Sequence, residues 1–344
     1  MSDFAGLAIP RSTPPMEAKL VADLPVDDVW QFEPKWDGFR CLAFRDGDAV
    51  ELMSKSGKPL GRYFPEVVTA LANLSAERFV LDGELILPVD DVLSFADLQA
   101  RLHPAASRID RLSRETPAQL MLFDCLQFES EVLVDQPLSH RRATLELAMD
   151  RAPPETFSIS PMTLDRQQAE RWLLSSGAAL DGVIAKLRNG PYVPGKRAML
   201  KRKLRRTADC VVGGFRYDAA GKTVAALLLG LYDDAGRLHH VGFTSALSAP
   251  ERAEMTPRLE AITGPSPFAG DGPGGPSRWQ PKQGREWQAL RPELVVEVGY
   301  DQVTGKRFRH GTSLIRWRED KMPSQCMLDQ LEPELRPAAL KHLL

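Results

Sequence analysis

The chain has 344 residues, of which 43% are hydrophobic and 26% charged, with a formal net charge of -2. A single core stops growing near roughly 250–300 residues, so two domains are expected, and the near-zero net charge argues neither for nor against a polyanionic partner. The longest apolar stretch, AALLLGLY at 225–232, is too short to cross a bilayer, and MSDFAGLAIPRSTPP at the N-terminus lacks the basic and apolar regions of a secretory leader.

A cytoplasmic protein without a membrane partner is therefore expected. Cys41, Cys125, Cys210 and Cys326 form no CxxC pair, and the histidines form no HExxH pattern, which disfavours a zinc site and a disulfide framework. In chain order, the first distinctive segment is EPKWDGFRCLAF at 33–44, in which Lys35 lies between Pro34 and Trp36 and is followed by Arg40. A lysine acts as a nucleophile only after losing its proton, and burial or a neighbouring cation lowers its pKa enough to allow that. The competing reading is a surface lysine in a turn closed by Asp37 and Gly38.

Strand-like runs CLAFRDGDAVELMS, RFVLDGELIL, LMLFDCLQF and GVIAKL then alternate with the helical patterns PEVVTALANL, SFADLQARL, SHRRATLELAM and RQQAERWLL, a mixed α+β layout. KLRNGPYVPGKRAMLKRKLRR at 186–206 carries nine Lys or Arg and no acid. In MLKRKL the alternation predicts a strand that points Lys201 and Lys203 to one side, where they call for an anion. Beyond Arg206, ADCVVGGFRY, TVAALLLGLYD, LHHVGFTSAL, LVVEVGYDQV and LIRWRED read as short strands of a small β-barrel, with turns at DAAGK and DDAGR. The Gly/Pro stretch at 263–279 is expected to leave the compact body. The boundary is placed near 207, giving domains 1–207 and 208–344.

KWDGFR (35–40), SKSG (54–57), LDGEL (81–85), LFDCL (122–126), DGVIAK (181–186), LKRK (200–203) and RWREDK (316–321) resemble, in the same order, the nucleotidyltransferase motifs of ATP-dependent DNA ligases. The resemblance is closest to the small bacterial ligases of the ligase C type, and it implies a nucleotidyltransferase domain followed by an oligonucleotide-binding (OB) β-barrel. It further implies a monomer that seals 3′-hydroxyl/5′-phosphate nicks in duplex DNA, in repair and beside other repair proteins, using ATP with Mg²⁺ or Mn²⁺.

Carried onto this chain, the resemblance makes Lys35 the residue that attacks the α-phosphorus of ATP and holds AMP. It gives Glu33 the adenine amino group, Arg40 the ribose and later the nick phosphate, and Phe123 the adenine face. Glu84 and Asp181 would serve metal and ribose, although Asp181 stands where many relatives have glutamate. Lys186, Lys201 and Lys203 would neutralise phosphates, with Lys55 holding one as a point charge. Arg316, Arg318, Asp320 and Lys321 match the segment that orients departing pyrophosphate, which implies a hinge near 205–210.

Other readings of the residues remain open: Glu33 as a solvated strand-end acid, Phe123 as core, Glu84 and Asp181 as turn acids, and RWREDK as a charged barrel edge. An RNA ligase or capping guanylyltransferase would also use a K-x-D-G lysine, and a non-catalytic strand-binding OB protein would use the barrel alone.

Overall fold

The computed structural model describes residues 4–331 apart from 90–91, 176–179, 204–205, 222, 271–272, 274–285, 302 and 310. Its contacts divide the chain between residues 204 and 205 into two compact units.

The described residues of the first unit form two main sheets beside a short pairing of Pro88–Val89 with Val92–Leu93. In the larger, the order is Phe157–Ile159, Gln119–Phe128, Arg78–Ile86, Phe39–Asp46, Ala49–Ser54, with Glu131–Val132 added against Gln119–Phe128. Its central strands are almost continuously apolar because both faces are covered. Cys41, Ala43, Leu81 and Leu120 face Phe64, Val67, Leu71 and Leu145, in and beside the helices Pro65–Ala72 and Leu138–Met149. Leu42, Phe44, Val80 and Leu126 point the other way and pack with Met16, Tyr192 and Met199.

The smaller sheet has the order Ala18–Leu20, Met199–Arg202, Val183–Leu187, Trp30–Pro34. Helix Arg166–Ser175 buries Ala169, Trp172 and Leu173 in one cluster with Phe32, Val183 and Ala185 of this sheet. Helix Ala106–Glu115, which the apolar periodicity did not announce, adds Ile109 to the buried residues.

The second unit carries the five expected strands in the order Leu238–Thr244, Val224–Tyr232, Arg206–Tyr217, Val295–Tyr300, Ser313–Trp317, with Gln288–Ala289 against Arg206–Tyr217. Irregular registers at Val212/Gly214 and Leu229/Gly230 bend the sheet, and its outermost strands approach through a bridge between Thr244 and Thr312. This is the α+β, OB-type architecture expected.

Three expectations about this unit change. Helix Ala249–Glu260 stands between the strand run ending at 247 and the Gly/Pro stretch, where no element was read; Ser248 and Glu251 cap it reciprocally, and Met255 and Leu259 join the core. The Gly/Pro stretch does not wholly leave the body, because Phe268 is buried and pairs with Leu238; residues 271–272 and 274–279 lie outside those described. Finally, 206–210, within the stretch expected to hold a hinge, is paired strand. Arg206 is buried there and donates from Nη1 to the Asp301 carbonyl at 2.9 Å, and Arg205 lies outside the described residues.

All four cysteines are buried and unpaired. Among the described residues, no helix is long and apolar enough to cross a membrane.

Candidate active site

Register in the smaller sheet builds one side of the site. Glu33 lies opposite Ile184, Ile184 opposite Lys201, and Gln31 opposite Lys186. Met199 lies opposite Ala18. Residues directly opposed across strands, and those two apart along a strand, share a face. That face gives Ala18, Glu33, Ile184, Lys186, Met199 and Lys201 to a pocket whose other side is Arg40, Glu84 and Phe123 of the larger sheet.

Lys35 follows the strand Trp30–Pro34 directly. Its N–H donates to the Gly182 carbonyl and its carbonyl accepts from Asp181 N–H, both at 2.9 Å, so two distant segments are held side by side. Gly182 has φ +138°, and a Cβ there would collide with the Arg202 carbonyl of the next strand. Only glycine lets the two strands close at this point. Gly38, in KWDGFR, is required for a similar reason, since a Cβ would strike the Leu85 carbonyl.

Around Lys35 the side chains form one charged group. Asp181 pairs with Lys35 and, at 3.1 Å, with Lys203. Burial raises the Asp181 pKa, but Lys35 and then Lys203 pull it further, to below the usual aspartate value. Lys201 is held below the usual lysine value by burial first and by Lys35 and Lys203 next. Lys201 lies in the strand Met199–Arg202 and Lys203 just beyond it, so both reach this group as expected. Three ammonium groups round one carboxylate leave a surplus of positive charge suited to phosphate oxygens.

The base-sized part of the pocket is built differently. Glu33 is 2% exposed, which removes the solvated-acid reading. It accepts from Lys186 Nζ at 2.8 Å and from Gln31 Nε2 at 2.9 Å. Lys186 was expected among the phosphate cations. Instead its ammonium is engaged by Glu33 and lies 4.5 Å from the centre of the Phe123 ring, because the register sets it beside a buried acid that needs a counter-charge. Phe123 is buried and lines the pocket. Lys55 lines the rim, pairing with Glu17 at 3.0 Å.

Arg40 forks onto Asp82 through Nε and Nη2 at 2.6 and 2.5 Å, and its guanidinium lies 4.6 Å from the Phe123 ring centre. Tyr192 donates to Asp82 at 2.7 Å and accepts from Met16 N–H at 2.8 Å. This chain of bonds ties the segment 15–18 to the pocket wall. Sequence reasoning missed Asp82, Tyr192 and Met16; the one signal was an acid inside the apolar strand RFVLDGELIL, which must find a partner.

Glu84 lies opposite Arg40 and is half-buried. Burial pushes its carboxyl up to about 7, with Arg40 and Lys35 pulling back. A hard oxygen donor whose ionised form lacks solvation fits Mg²⁺ or Mn²⁺, which take one or two carboxylates and complete their shell with substrate phosphate and water. Asp181, expected at the metal with Glu84, instead carries two lysines, and among the described residues no three His, Cys, Asp or Glu converge on a cation site.

The remaining expected residues lie in the second unit. Arg316 pairs with Glu297 at 2.7 Å and Lys321 with Asp209 at 2.8 Å. Arg318 is held by Asp209 and Asp320 together.

Comparison with known proteins adds the following. The family described as "ATP dependent DNA ligase domain" matches residues 15–203, and "ATP dependent DNA ligase C terminal region" matches 220–321. DNA ligase C1 of Mycolicibacterium smegmatis is 44% identical, covering 94% of this chain and 95% of its own. DNA ligase C of Mycobacterium tuberculosis is 41% identical, covering 93% and 94%. A solved structure of mycobacterial DNA ligase D complexed with ATP and MES superposes with a TM-score of 0.50 at 29% identity, covering 92% of this chain and 98% of that one.

Proposed function

This chain belongs to the ATP-dependent DNA ligases, and from that premise we propose that Lys35 is the residue through which it carries AMP to a nick in duplex DNA. The observation that supports the assignment is the convergence of Asp181, Lys201 and Lys203 on Lys35 at the open end of a pocket lined by Glu33 and Phe123.

In the first step the Lys35 amine attacks the α-phosphorus, a phosphoramide bond forms and pyrophosphate leaves. The 5′-phosphate of the nick then attacks the lysyl-AMP phosphorus and takes the AMP, freeing Lys35. Last, the 3′-hydroxyl attacks the adenylylated phosphate, a phosphodiester forms and AMP departs. Splitting the condensation in this way is covalent catalysis. Lys201 and Lys203 receive the charge developing on phosphate oxygens. Arg40, oriented by Asp82, meets the ribose and later the nick phosphate.

Glu33 accepts from the adenine amino group while Lys186 supplies its counter-charge, and Phe123 stacks on the ring. Glu84 would hold the divalent ion, which supplies charge neutralisation at the phosphates when bound. Arg316 and Lys321 orient departing pyrophosphate. We assign nucleotide chemistry to 1–207 and the OB-type role to 208–344, acting as a monomer in DNA repair. Grip on the duplex rests on basic surface, so nick affinity falls steeply with salt.

The test is incubation with α-labelled ATP and a divalent metal, followed by acid. Acid-resistant label on the parent and none on Lys35→Ala is expected. Label persisting on the variant would move the nucleophile elsewhere, and preferential labelling by GTP would favour the capping-type alternative.

A further inference from the structure

Asp209 was singled out by no motif, yet it is the centre of the charge arrangement around RWREDK. It lies on Arg206–Tyr217 directly opposite Glu297 of the neighbouring strand. Two acids opposed on one sheet face repel. They are accommodated by the cations of the motif: Arg316 Nε donates to Glu297 at 2.7 Å, and Lys321 Nζ donates to Asp209 Oδ2 at 2.8 Å.

Arg318 has a different part. Its Nη1 donates to both Asp209 oxygens, at 2.8 and 2.9 Å, while Nε and Nη2 fork onto Asp320, each at 2.8 Å. A guanidinium committed to two carboxylates is a strut rather than a phosphate ligand. Lys321 N–H closes a turn onto the Arg318 carbonyl at 3.3 Å, so the strut also fixes the backbone from which Lys321 projects. Asp209 itself is braced: its N–H donates to Gln330 Oε1 at 3.0 Å and its carbonyl accepts from Gln330 Nε2 at 3.2 Å. Arg316, by contrast, is 58% exposed on a single acid, the kind of pair that constrains little.

We propose that Asp209 is a positioning residue for AMP loading, acting through Lys321 and the Arg318 strut to hold the Lys321 ammonium where it can receive pyrophosphate. The proposal rests on the reading of Lys321 given above. A lysine stem has four rotatable bonds, and a braced carboxylate at its end removes most of that freedom before the nucleotide arrives.

The experiment compares Asp209→Asn, Lys321→Ala and the double variant in two single-turnover assays: AMP loading from ATP, and sealing of a nick already bearing AMP on its 5′-phosphate. Asp209→Asn should slow loading by about tenfold or more and leave sealing within about threefold of the parent. In the Lys321→Ala background it should slow loading no further, because the interaction it serves is already gone.

Four results overturn the proposal while Lys321→Ala still slows loading selectively: parental loading by Asp209→Asn, faster loading, equal losses in both assays, or additive losses in the double variant. Faster loading would make Asp209 a competitor for the cations, and equal losses would make it a fold element. If Lys321→Ala itself loads like the parent, the reading of the motif fails and the proposal falls with it.

Discussion

The Glu33–Lys186 pair sets a prediction in which stability and recognition separate. The two groups meet at 2.8 Å with 2% and 4% of their side chains exposed, so neither charge has water to fall back on. Lys186→Met keeps the length of the stem and its packing against Phe123 while removing the charge. Glu33 is then left with the Gln31 amide alone. Removing one member of such a pair destabilises by about 3–5 kcal/mol, whereas replacing both by uncharged groups is often close to neutral.

For a unit of about 200 residues each kcal/mol moves the midpoint by about 2–4 °C, so Lys186→Met should lower it by about 10 °C. Adding Glu33→Gln should restore most of that loss. Recognition should not recover, because the acceptor proposed for the adenine amino group has lost its charge, an effect of about 1–3 kcal/mol on apparent ATP affinity in AMP loading. Thermal unfolding by circular dichroism and AMP loading across ATP concentrations measure the two. A double variant as unstable as the single one, or a single variant within about 1 kcal/mol of the parent, would refute the counter-charge account of Lys186.

Other outcomes follow from the same geometry. On the metal role proposed for Glu84, which needs the ionised carboxylate, AMP loading at limiting metal should fall as pH drops below about 7 and recover with excess metal; loading insensitive to both would unseat Glu84. Because its folded pKa is raised, ionisation opposes folding, and stability is lost as pH rises from 4.5 through about 7. Glu84→Gln should remove that loss in melts recorded across this window. Gly182→Ala should destabilise the first unit and impair loading, since both its φ and the Arg202 carbonyl exclude a Cβ; a variant that melts and loads like the parent contradicts this. Arg206→Ala should lower the stability of the second unit by about 1–3 kcal/mol and leave the salt dependence of nick affinity unchanged, because Arg206 is buried on a carbonyl. A flatter salt dependence would return it to the DNA surface.

The sequence was most legible where a residue type has one physical reason to be present. Lys35 between Pro34 and Trp36, Lys201 and Lys203 in an alternating strand, and the five strands after Arg206 were all readable from local pattern. What was not legible depends on pairing across the chain. Nothing near Lys186 reveals that it lies diagonally across one strand pairing from Glu33, and nothing near Asp181 reveals that it meets two lysines. Asp82 and Tyr192 are 110 residues apart, and their bond exists only because two sheets face each other. Helix Ala249–Glu260 was different: Ser248 and Glu251 had the spacing of a reciprocal cap, a local signal masked by the surrounding strand pattern.

The smaller sheet has a consequence for how the protein comes into being on the ribosome. Ala18–Leu20 pairs with Met199–Arg202, which in turn pairs with Val183–Leu187. The earliest strand therefore has no partner until nearly all of the first unit has been translated, which at about 5–20 residues per second is a delay on the order of ten seconds or more. A nascent chain halted before Met199 has Lys35 but neither Lys201 nor Lys203, and the wall at Ala18 is unattached. On the roles proposed for Lys35, Lys201 and Lys203, loading of AMP is expected only from chains whose first unit is complete.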